Sequence, residues 1–284
     1  MFVPRKILTT KLQQLLAEDV GEGDVTVAAL IPPNLRVNAV IVTKEDGVAA
    51  GIEETIILAE SSGLTVKAKV EDGESIRNKQ VLLELSGDAQ TLLTVERTLL
   101  NLLSRMSGIA TVTHMLTEKL QKTGSKAKVA ATRKSAPGLL YFDKKAVVKG
   151  GGDSHRLHLD DMILIKDNHL AIVGAVEDAV KKAKANASFS KKIEVEVTTA
   201  QDAVVAANAG ADIVMLDNFT PKQAKAASKM LEQTGLCDVL LEVSGGITAE
   251  NFLEYASSQV DIISIGELTH SVKALDISLE IKKP

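Results

Sequence analysis

Residues 192–217, KIEVEVTTAQDAVVAANAGADIVMLD, decide the fold class. The runs KIEVEVT and DIVMLD are rich in isoleucine and valine, whereas TAQDAVVAANAG between them is rich in alanine and closes on Gly210. β-Branched runs suit strands, alanine suits a helix, and a glycine is where a helix stops. A strand, a helix and a strand in succession make a right-handed crossover between parallel neighbours. The same grammar extends both ways. VAAT (129–132), MILIKD (162–167), DVLLEVSG (238–245) and DIISIG (261–266) read as further strands. AIVGAVEDAVKKAKANA (171–187), TPKQAKAASKMLEQTG (220–235) and TAENFLEYASSQ (248–259) read as the helices between them. The strands are apolar nearly throughout, as parallel strands covered on both faces are. An α/β barrel and an open doubly wound sheet both fit. No G-x-G-x-x-G follows the first strand, which weakens a dinucleotide-binding version.

Upstream the pattern differs. An amphipathic helix over about 7–18 leads into the glycine-rich turn GEGDVT at 21–26. RVNAVIVTKEDGVAAG (36–51) and LTVKAKVEDGESIRNKQVLLELSG (64–87) then alternate in strand fashion around Glu-Asp-Gly turns, which predicts antiparallel strands packed on helices. AQTLLTVERTLLNLLSRMSG (89–108) predicts a strong helix ending at Gly108, with Leu92, Leu99, Leu103 and Met106 toward a core. Arg97, Asn101 and Arg105 share one stripe of it.

Composition narrows the class. The 284 residues are 45% apolar and carry a net charge of −4, so a core needs no staples and neither nucleic acid nor an anionic membrane is the expected partner. Aromatic residues are 2% and tryptophan is absent, which argues against base stacking. Cys237 is alone, so no intrachain disulfide forms. No apolar run approaches the ~18 residues of a membrane span, and the N-terminus lacks the apolar stretch of a signal peptide, so a cytoplasmic protein is expected.

Active sites of parallel α/β folds lie at the carboxyl ends of the strands. Here those ends carry Arg133 and Lys134, then Lys166, Glu196, Asp217, Ser244–Gly246 and Gly266. Lys166, Glu196 and Asp217 sit in or against apolar runs, where an unpaired charge costs several kcal/mol, so they pair with each other or with a ligand. GGGDSHRLH at 150–158 adds His155 and Arg156 to a cationic side. Glu196 and Asp217 suit Mg2+ held through oxygen and water. Ser244, Gly245, Gly246 and Gly266, followed by a helix start, form the glycine pattern of a barrel phosphate site. A substrate with several phosphates, and carboxylates as well, fits this arrangement. His155 and His158 have zinc-like spacing, but only two ligands lie locally and no cysteine is near. Lys166 at a strand end also suits a Schiff-base lyase, although Asp167 and the surrounding cations favour a paired ammonium. A non-catalytic phosphometabolite binder would use the glycine loops but not the Glu196/Asp217 pair.

These residues resemble the quinolinate phosphoribosyltransferase family. The resemblance runs nearly the whole length: GEGDVT (21–26), ERTLLNLLSRMSGIAT (96–111), ATRKSAPG (131–138), GGGDSHR (150–156), ILIKDNH (163–169), EVEV (194–197), MLDNF (215–219), SGGI (244–247) and IGELTHS (265–271). It implies an open α/β sandwich domain over 1–107, joined by 269–284, and an incomplete, TIM-like α/β barrel over 108–268. It also implies a homodimer in which Arg97 enters the neighbouring active site, with dimers able to build a hexamer. The implied reaction is Mg2+-dependent transfer of phosphoribosyl from phosphoribosyl pyrophosphate to quinolinate with loss of CO2, giving nicotinate mononucleotide. Arg97, Arg133, His155, Arg156 and Lys166 would then hold the substrate carboxylates, Lys134 and Mg2+ the leaving group, and Ser244–Gly246 with Gly266 the 5-phosphate. Glu196 and Asp217 would act on the sugar and the metal-bound waters. Ser135-Ala136, Lys145, His158 and Thr198 depart from the common family pattern and leave open a related enzyme that takes nicotinate without decarboxylation. The intact KDNH at 166–169 favours the quinolinate enzyme over the molybdenum-transport paralogue of the family.

Overall fold

The computed structural model describes residues 3–282. The chain divides into two compact units. Among the described residues, one comprises 3–114, Val148–Gly150 and 272–282; the other comprises Met115–Val147 and Gly151–Ser271.

The first unit begins with helices α1 (Arg5–Val20) and α2 (Val25–Leu30), then strand β1 (Arg36–Thr43), β2 (Gly47–Val48) and α3 (Ile52–Ser61). β3 (Thr65–Ala68), β4 (Ser75–Ile76), β5 (Val81–Asp88) and the long α4 (Ala89–Lys122) follow, α4 passing into the second unit after His114. The chain's last strand, β12 (Ile277–Lys282), returns to this unit and completes an antiparallel sheet of order β12-β1-β5-β3. Ile41, Leu58, Leu82, Leu83, Leu92 and Leu99 are its buried core.

The helix over 89–108 does not stop at Gly108. α4 runs on to Lys122, and the glycine serves packing instead. A Cβ at Gly108 would lie 2.1 Å from the Lys273 carbonyl oxygen and 3.0 Å from Ala274 Cα, so only glycine admits that backbone.

The second unit takes up β6 (Lys128–Ala130), α5 (Leu140–Lys149), β7 (Ile163–Ile165), α6 (Asp167–Val173), α7 (Val176–Asn186) and β8 (Ile193–Val197). It continues with α8 (Ala200–Ala209), β9 (Ile213–Asp217), α9 (Pro221–Gln233), β10 (Leu240–Ser244), a 3₁₀ helix at Phe252–Ser257, β11 (Ile262–Ser264) and α10 (Glu267–His270). All pairings in its six-stranded sheet are parallel, in the order β6-β11-β10-β9-β8-β7. The sheet is thus an open barrel, with β6 and β7 at its two edges and a single parallel bridge from Ala130 to Asp153 on the outer side of β6.

Local chemistry sets the helices. Thr199 Oγ1 accepts the Asp202 N–H (3.0 Å) to start α8, and Thr220, Pro221 and Gln223 form a capping box that starts α9. Outward-facing Val195, Val214, Leu216, Val243 and Ile263 are fully or almost fully buried. Glu196, Met215, Asp217, Glu242, Ser244 and Ser264 alternate with them and face a shared interior cavity.

The stretch 248–259 departs from the expected α-helix. Phe252 and Tyr255, three apart and both buried, fit the 3₁₀ period, and the Tyr255 hydroxyl donates to the Phe219 carbonyl (2.9 Å).

Candidate active site

Arg133, Lys134, His155, Arg156, Lys166, Glu196, Asp217, Ser244 and Gly245 line one cavity of about 360 Å3 in the second unit. Residues separated by as many as 112 positions (133 to 245) meet there because strand ends converge. Gly266 lies outside the lining but faces the Lys134 side chain, and Thr269 Oγ1 donates to the Lys134 carbonyl (2.7 Å), tying the Arg-Lys loop to α10. Gly246 adjoins the lining as the residue after Gly245. Arg97 belongs to the other unit, exposed on α4.

Two carboxylates are each held on one side. Lys166 Nζ pairs with Glu196 Oε2 at 3.0 Å, and Asn218 Nδ2 donates to Asp217 Oδ2 at 2.7 Å. The Lys166 amine is committed to that ion pair, which counts against the Schiff-base reading. Gly245, at φ 89°, lets the ends of β9 and β10 meet: a Cβ there would lie 2.4 Å from Asn218 Oδ1.

The three histidines of 155–169 do separate things. His158 is exposed. His169 Nδ1 accepts the Lys166 backbone N–H (2.9 Å) and caps α6. His155 points into the barrel, with Nε2 at 3.0 Å from Glu242 Oε2 and 3.4 Å from Glu194 Oε2. These two glutamates have no exposed surface and were not among the expected site residues. Burial raises Glu194 above the usual carboxylate range, opposed by the His155 hydrogen bond and assisted by the Glu242 charge. Burial lowers the His155 value, but the two glutamates outweigh it and push the ring up to about 10. A second proton would have to sit on Nδ1, however, and there the Arg156 backbone N–H already donates at 2.7 Å. The hydrogen bond to Nδ1 therefore assigns the proton that faces the two glutamates to Nε2. Lys144 is also fully buried, with Nζ on the Ser154 carbonyl; burial lowers it to about 8.

The expected helix N-terminus beside Ser244–Gly246 is absent. The Thr248 N–H is taken by Asn251 Oδ1 (2.9 Å) and the Ala249 N–H by Glu267 Oε2 (3.0 Å), which leaves the Ser-Gly-Gly loop itself as the polar end of the cavity.

Comparison with known proteins assigns both halves of the chain. Residues 24–107 match the N-terminal domain of quinolinate phosphoribosyl transferase, and residues 109–280 match its C-terminal domain. The chain is 46% identical over 272 residues to the probable nicotinate-nucleotide pyrophosphorylase [carboxylating] of Methanothermobacter thermautotrophicus, covering 95% of this chain and 98% of that one. It is 40% identical over 276 residues to the nicotinate-nucleotide pyrophosphorylase [carboxylating] of Mycobacterium leprae, covering 95% of both. The structure of the nicotinate-nucleotide pyrophosphorylase from Francisella tularensis superposes with a TM-score of 0.88 at 36% identity, covering 99% of this chain and 98% of that one.

Proposed function

The chain belongs to the quinolinate phosphoribosyltransferase family, and from that premise we propose that it joins quinolinate to phosphoribosyl pyrophosphate, releasing pyrophosphate and CO2 and leaving nicotinate mononucleotide. One observation carries this reading: a single cavity of about 360 Å3 has Arg133, Arg156 and Lys166 on its wall together with the Ser244–Gly245 loop and the carboxylates Glu196 and Asp217. That is the polarity a planar dicarboxylate and a sugar phosphate require at the same time.

In this mechanism Arg133, Arg156 and Lys166 neutralise the two carboxylates and turn the pyridine nitrogen toward the sugar. Guanidinium forks are suited to that task by their planar, two-pronged donors. His155 backs this wall. The loop Ser244–Gly246 with Gly266 holds the 5-phosphate, and Lys134 offsets charge on the departing pyrophosphate. As the bond to pyrophosphate lengthens, positive charge grows on the sugar, and Glu196 and Asp217 stabilise it. Nitrogen attack expels pyrophosphate and leaves the ring cationic, so the electron pair released with CO2 is stabilised by the adjacent positive nitrogen until a proton from solvent takes it. Positioning and electrostatics supply most of the catalysis.

Mg2+ fits the donor set. Lys166 engages Glu196 Oε2 and Asn218 engages Asp217 Oδ2, leaving the second oxygen of each carboxylate for water on a hard cation. When bound, the ion would supply positive charge to the pyrophosphate. The working form is a homodimer in which Arg97 completes the neighbour's carboxylate wall, and dimers can build a hexamer; the enzyme acts in the cytoplasm. Among the described residues no helix is long and apolar enough to cross a membrane.

The test follows nucleotide and CO2 together from purified protein, phosphoribosyl pyrophosphate and Mg2+, with quinolinate or nicotinate offered. Nucleotide and CO2 in equal amounts from quinolinate alone is the expected result. Turnover of nicotinate alone would overturn the dicarboxylate assignment and keep the fold.

A further inference from the structure

Barrel interiors are ordinarily filled by bulky branched side chains. Here the interior layer that reaches the cavity floor instead holds two carboxylates and an imidazole: Glu194 on β8, Glu242 on β10, and His155 between them. Both glutamates are wholly buried, and Glu242 Oε1 and both Glu194 oxygens make no hydrogen bond beyond the His155 approach. Burying two carboxylates with so few partners is costly, because neither the solvent nor enough donors offset their charge. The backbone is strained as well, since His155 sits at φ 52°, a region that side-chain-bearing residues seldom adopt.

The reason lies in the open side of the barrel. The segment 151–156 runs along the free edge of β6, with the Asp153 N–H on the Val129 carbonyl (2.8 Å) and the Ala131 N–H on the Asp153 carbonyl (3.0 Å). Arg156 Nη1 donates to the carbonyl of Met162 (3.3 Å), the residue before β7 at the opposite edge. The segment therefore spans the gap between the two edge strands, and the His155 ring reaches across the interior to β8 and β10. A second cavity, of about 680 Å3 and lined by residues at the amino ends of the same strands, shares His155 and Arg156 with the first. These two residues form the partition.

Three ligand atoms, one imidazole nitrogen and two carboxylate oxygens, lie within 4.8 Å of one another, a spacing a metal could use. The Nδ1 hydrogen bond argues otherwise, because it places the proton on Nε2, the atom a metal would need. Lys144 and Arg156 nearby repel a dication as well.

We propose that Glu194 and Glu242 are positioning residues: they pin the His155 ring in the gap of the open barrel and, through the His155–Arg156 link, hold the Arg156 guanidinium at the wall that receives the substrate's carboxylates. The inference rests on the function proposed above. It makes the dicarboxylate end of the site depend on two acids outside the cationic wall; Glu242 lies two residues before Ser244 and lines the same cavity, but its carboxylate turns to His155 rather than to the 244–246 loop.

The test uses the full-length protein and the isosteric variants Glu194→Gln, Glu242→Gln and the double variant. The double variant is expected to raise KM for quinolinate about ten-fold or more and to leave KM for phosphoribosyl pyrophosphate within about two-fold. Glu194→Gln, which keeps the shorter His155–Glu242 bond, should lose least. Histidine 15N spectra should show the Nε2–H form of His155 in wild type and its loss in the double variant. If the double variant does not fold, Glu242→Gln carries the same split between substrates. An unchanged quinolinate KM, or equal rises for both substrates, overturns the proposal. So does a stoichiometric transition metal in the purified protein that the substitutions remove. Failure of the wild type itself to turn over quinolinate would strike the proposed function instead, and is read separately.

Discussion

Lys144 is a fully buried ammonium whose charge responds to mild alkali. Burial lowers it from 10.5 to about 8, with Asp153 and Glu242 opposing the shift and Arg133 and Arg156 adding to it. The sign follows from linkage. Below pH 8 both folded and unfolded chains carry the proton, and the folded state bears the cost of burying it. Between about 8 and 10.5 the folded chain releases its proton first, so the unfolded state binds more protons and unfolding becomes harder as pH rises. Lys144→Met abolishes this term. The stability difference, wild type minus variant, should therefore grow by roughly 3 kcal/mol from pH 7.5 to 10.5, measured by denaturant unfolding at each pH. A difference that stays constant with pH would show that Lys144 is not the buried cation described. Residues of this kind mark the limit of reading a sequence. Lys166, Glu196 and Asp217 are legible because each ends an apolar strand. Lys144 lies within an ordinary helix, and Glu194 differs from Glu196 only by standing one pleat deeper, where β10 brings Glu242 near it. Pairing across strands leaves no trace in local spacing.

At the scale of elements, strands were more legible than helix ends, because an apolar run between turns is a local signal and a terminus is not. All six parallel strands lie where the β-rich runs predict them. Over 171–187 one expected helix is two, α6 and α7, parted at Gly174, and over 248–259 the expected α-helix is a 3₁₀ turn. Gly108 is the most instructive case. A glycine after an amphipathic run is a stop signal by itself, yet here it admits the 273–274 backbone against α4. Two effects of opposite sign meet in Gly108→Ala. Helix propensity favours alanine by about 1 kcal/mol. The new methyl group would stand 2.1 Å from a backbone oxygen, which cannot swing aside as a side-chain tip can. Overlap of that kind typically costs about 1–3 kcal/mol even after relaxation, so the substitution should be net destabilising. Thermal unfolding of the full-length variant checks it; an unchanged or higher Tm would mean that the 273–274 segment gives way freely.

For the whole molecule, the question is whether one chain makes a complete site. Arg97 is exposed on α4 in the first unit, whereas the cavity is lined by the second unit alone. The proposed homodimer gives that exposed arginine a purpose: it would supply one more fork to the dicarboxylate that Arg133 and Arg156 are proposed to grip. Complementation separates this arrangement from one in which each chain serves itself. Arg97→Ala and Arg133→Ala should each be nearly inactive alone. In a mixed dimer with sharing, one site combines the intact Arg133 of the first chain with the intact Arg97 of the second, and the other site lacks both. Random exchange of equal amounts makes about half the dimers mixed, each with one working site, so the mixture should regain about a quarter of wild-type turnover. If Arg97 acted within its own chain, every subunit of the mixed dimer would lack one arginine, and no activity would return. The experiment is read on heterodimers isolated with two different affinity tags, where sharing predicts about half of wild-type turnover with an unchanged KM for quinolinate at the surviving site. Inactive heterodimers would confine Arg97 to the surface it occupies on α4.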